Sequence, residues 1–199
     1  IDQFIDFLMR QLPDGAIMIG WSLGSTVAQH FIQRYPNKLS QVVHLSGTPC
    51  FVNTAGWQYG VSAAIANAFE QQLQTQPEAT WQNYFSELAL METPPRPVLK
   101  KLKKLLSRYQ MPNPDSLIQA LKLLHQSDFL HKEPVDLPQV WVIGSQDRMI
   151  QAYSKIELTK NSPDSSVILL EEVGHLPMLT APELVSEIVI SMIDGASHK

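Results

Sequence analysis

Hydrophobic positions in the first fifty residues follow two different patterns in turn. Residues 1–12 (IDQFIDFLMRQL) carry apolar side chains at helical spacing, which predicts an amphipathic helix. Ala16 to Gly20 is a short, wholly apolar run, typical of a strand buried on both faces of a parallel sheet. Residues 22–35 predict a helix that Pro36 ends, and Gln41 to Gly47 predict a second buried strand. This strand–helix–strand order predicts an α/β fold with a mostly parallel sheet.

Residues 52–134 interrupt that rhythm, because they contain no convincing strand. They predict several helices separated by prolines. We therefore expect a helical cap over residues 52–134, inserted between a first core segment, residues 1–51, and a second core segment, residues 135–199.

The strand pattern returns after the cap. Pro138 to Ser145 and Ser166 to Val173 predict two further strands of the same sheet. Helices are predicted at about residues 152–160 and at 182–193, the second of them opened by Pro182 at a first-turn position.

Composition narrows the classes of protein that fit this pattern. Hydrophobic residues make up 44% and charged residues 17%, which is typical of a globular protein. A net charge of −4 argues against a nucleic-acid-binding protein, and no apolar run approaches the roughly 20 residues of a membrane span. The single cysteine, Cys50, excludes an intramolecular disulfide framework and a multi-cysteine zinc site. No spacing of metal ligands and no phosphate-binding loop occurs, so we expect neither a metal nor a cofactor.

A candidate nucleophile lies where the first buried strand meets the following helix. Gly20-Trp21-Ser22-Leu23-Gly24 fits the Gly-x-Ser-x-Gly motif, in which a sharp turn strains the serine backbone and small neighbours let the turn close. The Ser22 hydroxyl would then project over the carboxyl end of the sheet, where open α/β sheets bind ligands. The Leu23 N–H is the candidate oxyanion donor. The alternative is a serine that only caps the helix.

A serine hydroxyl needs a neighbouring base to become a good nucleophile. With this motif the partners follow in the chain order serine, acid, histidine. Asp147 follows the third predicted strand and His175 follows the fourth, so they are the candidate acid and base. Asp128 is the fallback acid. A structural histidine and a loop-capping aspartate are the alternatives.

A basic helix is predicted in the cap at residues 96–108. Arg96, Lys100, Lys104 and Arg108 are four residues apart and would share one helix face. Apolar side chains would fill the opposite face: Leu99, Leu102, Leu105, Leu106 and Tyr109. The ordinary interpretation is a solvated charged face. Like charges at this spacing destabilise a helix slightly, however, so we expect the face to dock an acidic partner. A membrane surface or nucleic acid is the alternative, which a single short helix without interleaved aromatic residues favours less.

These motifs resemble those of the α/β-hydrolases, and most of all the pimeloyl-[acyl-carrier protein] methyl ester esterases of biotin synthesis. The resemblance runs through IGWSLGS, LSGTPCF, RPVLKKLKKLLSRYQMPNPDSL, SDFLHKEPV, GSQDRMI and VGHLPML. It implies a cytoplasmic, monomeric serine esterase that needs no cofactor, membrane or nucleic acid. Its substrate would be the methyl ester of pimeloyl carried by acyl-carrier protein, and methanol would be released. Because acyl-carrier proteins are acidic, the resemblance implies that the carrier protein is the partner of the basic helix.

The resemblance also implies substrate contacts. Trp21 would line the acyl channel beside Ser22, with Phe51, Phe85 and Met91 as apolar contacts from the cap or its border. A buried core role is the alternative for each of the last three.

One departure from the family concerns the start of the chain. The family's sheet begins before the nucleophile motif and includes a His-Gly-x-Gly loop with a second oxyanion donor, and these residues contain no such loop. We therefore expect that the 199 residues are a fragment, inactive or poorly folded alone, whose nucleophile strand has an exposed hydrophobic edge.

Two other functions fit the same residues. One is a general carboxylesterase, thioesterase or carbon–carbon bond hydrolase that acts on a free small molecule. The other is a non-catalytic binding protein that uses the cap as its interaction surface.

Overall fold

The computed structural model describes residues 1–152 and 165–196, and these residues form one parallel sheet of four strands. The strands lie side by side in chain order: β1 Ala16–Trp21, β2 Leu39–Leu45, β3 Gln139–Gly144 and β4 Ser165–Leu170. Because all four run the same way, their carboxyl ends meet at one edge of the sheet. The parallel sheet expected from the apolar runs is thus present.

Eight α-helices accompany the sheet in the described part of the chain. They are α1 Asp2–Gln11, α2 Leu23–Arg34, α3 Ala63–Thr75, α4 Pro77–Leu90, α5 Pro95–Leu106, α6 Pro114–Gln126, α7 Pro177–Thr180 and α8 Pro182–Ala196. Prolines open α4 to α8, where the missing N–H removes no intrahelical hydrogen bond. The helix predicted at about 152–160 falls mostly on residues 153–164, outside the described residues.

Helices cover both faces of the sheet, which explains why its strands are mostly apolar. On one face, Val42 of β2 lies in a buried cluster with Phe31 of α2 and residues of α1. On the other face, the next residue, Val43, lies in a cluster with Val185 of α8. Neighbouring residues of a strand point to opposite faces, so a strand covered on both sides has apolar side chains on both faces.

The last strand ends earlier than its apolar pattern suggests. Residues 171–173 were expected to continue it, yet β4 ends at Leu170. Glu172 has a φ of 60°, which no strand residue adopts, and its N–H donates to Ser145 Oγ at 3.0 Å. The chain therefore turns towards the residues that follow β3.

Four helices, α3 to α6, lie between β2 and β3 in the chain, where the helical cap is expected. The division into two core segments and a cap remains a prediction. Leu88 of α4 and Leu102 of α5 share a buried cluster with Leu176, which follows β4, so these cap helices pack directly on the core.

β1 forms one edge of the described sheet, and Ile19 on this strand is about half exposed. No helix of residues 1–152 and 165–196 combines the length and the apolar character that crossing a membrane requires.

Candidate active site

Ser22 occupies the tight turn between β1 and α2. Its backbone angles are φ 51° and ψ −113°, a strained conformation that rarely occurs outside functional sites. A Cβ at Gly20 would lie 2.5 Å from the carbonyl carbon of Gly24 and 2.7 Å from the nitrogen of Ser25, so only glycine fits there. A Cβ at Gly24 would meet no atom within 4 Å beyond its own helix. The turn therefore requires only the first of the two glycines.

Ser22, His175 and Asp147 form a chain of hydrogen bonds across the carboxyl edge of the sheet. His175 Nε2 lies 3.0 Å from Ser22 Oγ, and His175 Nδ1 lies 2.6 Å from Asp147 Oδ2. The imidazole and the carboxylate are both fully buried. A carboxylate only accepts hydrogen bonds, so His175 donates from Nδ1 and keeps Nε2 as the acceptor for the serine proton. The structure brings the three predicted residues together in the geometry that a general base requires.

Backbone contacts join the two loops that carry the acid and the histidine. We call residues 145–150 the acid loop and residues 171–176 the histidine loop. The Gln146 N–H donates to Val173 O at 2.9 Å. Gly144 precedes the acid loop, and a Cβ there would lie 2.7 Å from the Val173 carbonyl carbon. The glycine allows the two loops to touch.

Leu23 and Trp21 flank the nucleophile and have different surroundings. Leu23 is the first residue of α2, so its N–H has no intrahelical partner and lies at the positive end of the helix dipole. Trp21 Nε1 donates to His175 O at 2.8 Å, and the two rings lie 5.7 Å apart. Trp21 therefore packs against the histidine loop, and its contact with a substrate remains a prediction.

Tyr84 of α4 reaches the same site and was missed by sequence reasoning. Its hydroxyl lies beside Ser22. Burial, and then the negative charge of Asp147, raises the pKa of Tyr84 to about 12, so the hydroxyl stays protonated near neutral pH. Trp81, Tyr84, Phe85 and Leu88 recur at helical spacing, which could have indicated a common face.

Residues 1–182 match the family model described as the alpha/beta hydrolase fold. The chain belongs to this family. A pimeloyl-[acyl-carrier protein] methyl ester esterase of Aromatoleum aromaticum is 28% identical over 201 residues, which cover 98% of this chain and 80% of that protein. A protein of the same name from Xylella fastidiosa is 31% identical over 169 residues, covering 83% of this chain and 66% of that protein. The resemblance found in the sequence is confirmed.

Solved structures support the same fold. An esterase from Exiguobacterium antarcticum has a TM-score of 0.78 at 18% identity, covering 91% of this chain and 67% of its own. A bromoperoxidase from Bacillus anthracis has a TM-score of 0.77 at 17% identity, covering 97% of this chain and 71% of its own. At these identities the similarity concerns the fold alone, and it confirms the predicted fold class.

The two apolar cap residues predicted to contact substrate are both close to the site. Phe85 is half-buried and packs edge-on against Tyr84, with ring centroids 5.2 Å apart. Met91 is buried directly beneath the histidine loop, where its carbonyl oxygen closely approaches Gly174. Phe51 is buried and stacks on His125. Their contact with substrate remains a prediction.

The remaining candidate acid and histidines bind other partners. Asp128 Oδ1 accepts from the Leu130 N–H at 2.9 Å. The carboxylate that hydrogen-bonds with His175 is that of Asp147. The other histidines of the described residues have their own neighbours: His30 with Ser127, His44 with Ser25 and Gln139, His125 with Glu70, and His131 with Asp128. His198 lies outside the described residues. Within those residues, no three metal-ligating side chains lie together.

The basic helix is shorter than predicted. Arg96, Lys100 and Lys104 are exposed on α5, but the helix ends at Leu106 and Arg108 lies in the turn beyond it. The prediction that Arg108 continues the helical face is therefore wrong. The Ser107 hydroxyl donates to Lys104 O at 3.0 Å, which satisfies a last-turn carbonyl at the end of the helix.

The apolar face of α5 also departs from the prediction. Leu102 is buried, but Leu105 is 38% exposed and Tyr109, which lies beyond the helix, is 75% exposed. The buried contact comes from the amino-terminal part of the helix, where Val98 joins the cluster that contains Leu176. The turn after Leu106 directs Tyr109 away from that cluster.

Proposed function

We propose that the chain is a serine carboxylesterase that hydrolyses the methyl ester of a pimeloyl group carried by acyl-carrier protein, in biotin synthesis. The observation that carries the proposal is the hydrogen-bonded series Ser22, His175, Asp147, with spacings of 3.0 and 2.6 Å. The hydrolase class rests on the family and on the esterase names of the relatives. The substrate rests on those names and on the exposed basic face of α5.

The geometry supports acyl transfer in two stages. Ser22 Oγ attacks the ester carbonyl while His175 Nε2 takes its proton, and Asp147 stabilises the imidazolium that forms. The Leu23 N–H donates to the negative oxygen of the tetrahedral intermediate. The intermediate then collapses as His175 returns the proton to the methoxide, which leaves as methanol.

The second stage regenerates the enzyme. A water molecule loses its proton to His175 as it attacks the acyl-serine ester. The new tetrahedral intermediate collapses, His175 protonates Ser22 Oγ, and the free carboxylate of the substrate is released. The Tyr84 hydroxyl, which is protonated near neutral pH, lies beside Ser22.

The basic face of α5 suits an acidic carrier. Arg96, Lys100 and Lys104 are exposed, and none of them forms an ion pair with an acidic side chain within residues 1–152 and 165–196. The buried side of the same helix contacts Leu176, which follows His175 in the chain. A carrier bound to α5 would therefore stand close to the catalytic loops. Charge complementarity of this kind speeds encounter and fixes orientation.

Charge reversal on α5 tests the carrier. The methyl ester linked to acyl-carrier protein and the free methyl ester are compared with the Lys100→Glu/Lys104→Glu variant. We expect kcat/KM for the carrier-linked ester to fall by about tenfold or more, and that for the free ester to stay unchanged. Lys122→Glu, on the exposed surface of α6, is the matched control and should change neither value.

Two outcomes separate the alternatives. Equal use of both esters, unaffected by charge reversal, would indicate a general esterase instead of a carrier-specific one. No labelling of Ser22 by a fluorophosphonate in a folded protein would contradict the catalytic proposal and favour a binding protein.

A further inference from the structure

Glu92 is a buried carboxylate that the proposed reaction does not use. It follows α4 at the end of the cap helix that carries Tyr84, and it is only 2% exposed. Glu92 Oε2 accepts from the Gly174 N–H at 3.1 Å, and Oε1 accepts from the Leu176 N–H at 2.7 Å. These two N–H groups belong to the residues on either side of His175.

The contact between the cap and the histidine loop is tight. A Cβ on Gly174 would lie 2.6 Å from Met91 O and 2.7 Å from Glu92 Oε1. Glycine at this position therefore lets the cap backbone lie directly on the loop. From the other side of the loop, Trp21 Nε1 donates to the carbonyl oxygen of His175. The backbone around the histidine is thus held by hydrogen bonds from the cap and from the core.

A second contact links the same cap segment to the acid loop. Thr93 Oγ1 donates to Gln146 Oε1 at 3.0 Å, and Gln146 immediately precedes Asp147. The segment Met91–Thr93 therefore touches both loops that carry the partners of Ser22. Both loops follow neighbouring strands, β3 and β4. The segment therefore lies across the carboxyl ends of these two strands, where the three site residues meet.

The physical chemistry of Glu92 favours a fixed loop. A buried carboxylate is costly unless hydrogen bonds satisfy it, and bonds to a charged acceptor are the stronger ones. Displacing the histidine loop would break both bonds and leave the carboxylate without partners. Misplacing a catalytic group by about 1 Å can lower a rate by about 100-fold, so small movements of His175 matter.

We propose that Glu92 is a positioning residue, which holds the histidine loop so that the imidazole lies between Ser22 and Asp147. The geometry of the catalytic base therefore depends on how the cap sits on the core. This inference rests on the proposed function, because it assigns His175 the role of base.

Glu92→Gln tests the inference with little change in volume. The amide keeps one acceptor but presents an N–H group to one of the two loop N–H donors. We expect the rate constant for labelling of Ser22 by a small fluorophosphonate to fall by about 10- to 100-fold. The labelled fraction at the end of the reaction should stay unchanged. Binding of the carrier-linked ester, measured as Kd in a Ser22→Ala background, should also stay unchanged.

Glu70→Gln is the matched control. Glu70 lies in the cap and pairs with His125 at 3.6 Å. It therefore tests the loss of a cap carboxylate at another site. Its labelling rate should equal that of the wild type.

Proton NMR reports directly on the hydrogen bond between His175 and Asp147. A residue that only stabilised the fold would not change that resonance. The proton between His175 Nδ1 and Asp147 Oδ2 lies in a 2.6 Å hydrogen bond and should give a far-downfield resonance. We expect Glu92→Gln to shift or broaden this resonance and Glu70→Gln to leave it in place.

The outcomes separate the two proposals. A Glu92→Gln protein that labels at the wild-type rate, with an unchanged resonance, overturns the positioning role. If that variant does not fold, Glu92→Asp keeps the charge but shortens the reach by one methylene. Slow labelling with a full labelled fraction then supports the role, and the wild-type rate overturns it. If Ser22→Ala is labelled as fast as the wild type, the proposed function itself fails.

Discussion

Asp147 binds different partners with its two carboxylate oxygens. Oδ1 accepts from the backbone N–H groups of Met149 and Ile150, at 2.8 and 3.0 Å, which leaves Oδ2 for His175. These backbone bonds fix the plane of the carboxylate before any substrate arrives. The orientation of the imidazole is therefore built into the acid loop.

Asp147→Asn tests this arrangement. The amide keeps the size of the side chain, but it can impose the wrong imidazole tautomer and cannot stabilise the imidazolium. We expect kcat to fall by as much as about 10⁴-fold with KM nearly unchanged, as measured by steady-state hydrolysis of the free methyl ester. Asp128→Asn should be close to wild type. Loss of activity in Asp128→Asn but not in Asp147→Asn would identify the fallback acid instead.

The sequence predicts Ser22, Asp147 and His175 because each follows a strand whose apolar run is easy to recognise. Parallel strands bring their carboxyl ends to one edge, so three distant positions meet there. Tyr84 and Glu92 could not be found in this way. Their place in the site depends on how α4 packs over the sheet. The sequence pattern around these two residues does not indicate that packing.

The strand–turn–helix element around Ser22 depends on one glycine more than on the other. Gly20 lies against the backbone of Gly24 and Ser25, whereas Gly24 lies in α2 with room for a side chain. The close approach is made by the end of β1 packing against the first turn of α2. The Gly-x-Ser-x-Gly pattern alone does not distinguish these two positions.

Paired alanine variants test that difference. Gly20→Ala should displace the turn, lowering both the unfolding temperature and the rate at which a fluorophosphonate labels Ser22. Gly24→Ala should keep that rate and raise the free energy of unfolding by about 0.5–1 kcal/mol, because glycine inside a helix is destabilising relative to alanine. Equal effects of the two changes would show that the turn does not have the packing described.

Element boundaries are predicted less well than elements, and local hydrogen bonds explain why. The apolar pattern continues through residue 173, but the positive φ of Glu172 turns the chain after β4. The basic helix was expected to reach Arg108, but it ends before Ser107, whose hydroxyl bonds back to the last turn. In both places one residue's geometry overrides the periodicity of its neighbours.

At the scale of the whole molecule, a buried polar group links the helix after the nucleophile to the middle of the sheet. His44 of β2 is fully buried, with Nδ1 2.8 Å from Ser25 Oγ and Nε2 3.1 Å from Gln139 Oε1. It also stacks on Trp141, with ring centroids 3.9 Å apart. Burial lowers the pKa of His44 to about 3, so the folded protein holds the neutral ring.

This lowered pKa predicts how stability depends on pH. The unfolded chain binds a proton at His44 near pH 6.5, whereas the folded protein does so only near pH 3. Between these values the unfolded state holds about one proton more, so the free energy of unfolding falls as the pH falls through this window. Above about pH 6.5 His44 is neutral in both states, so its protonation no longer lowers the free energy of unfolding.

Denaturant titrations between pH 7 and 4.5 measure that slope, and NMR of the folded protein follows the His44 ring directly. The ring resonances should not titrate in this range. A midpoint near the ordinary histidine value would contradict the buried, neutral state.

In the molecule as a whole, one edge of the sheet aligns three side chains, and helices α4 and α5 pack beside them. The most direct test of this account is the release of methanol from the methyl ester of pimeloyl-acyl-carrier protein, comparing the wild-type protein with Ser22→Ala. We expect the wild type to release methanol and leave a free terminal carboxylate, and Ser22→Ala to stay near the uncatalysed rate. Hydrolysis by Ser22→Ala at the wild-type rate, or none by the folded wild type, would contradict it.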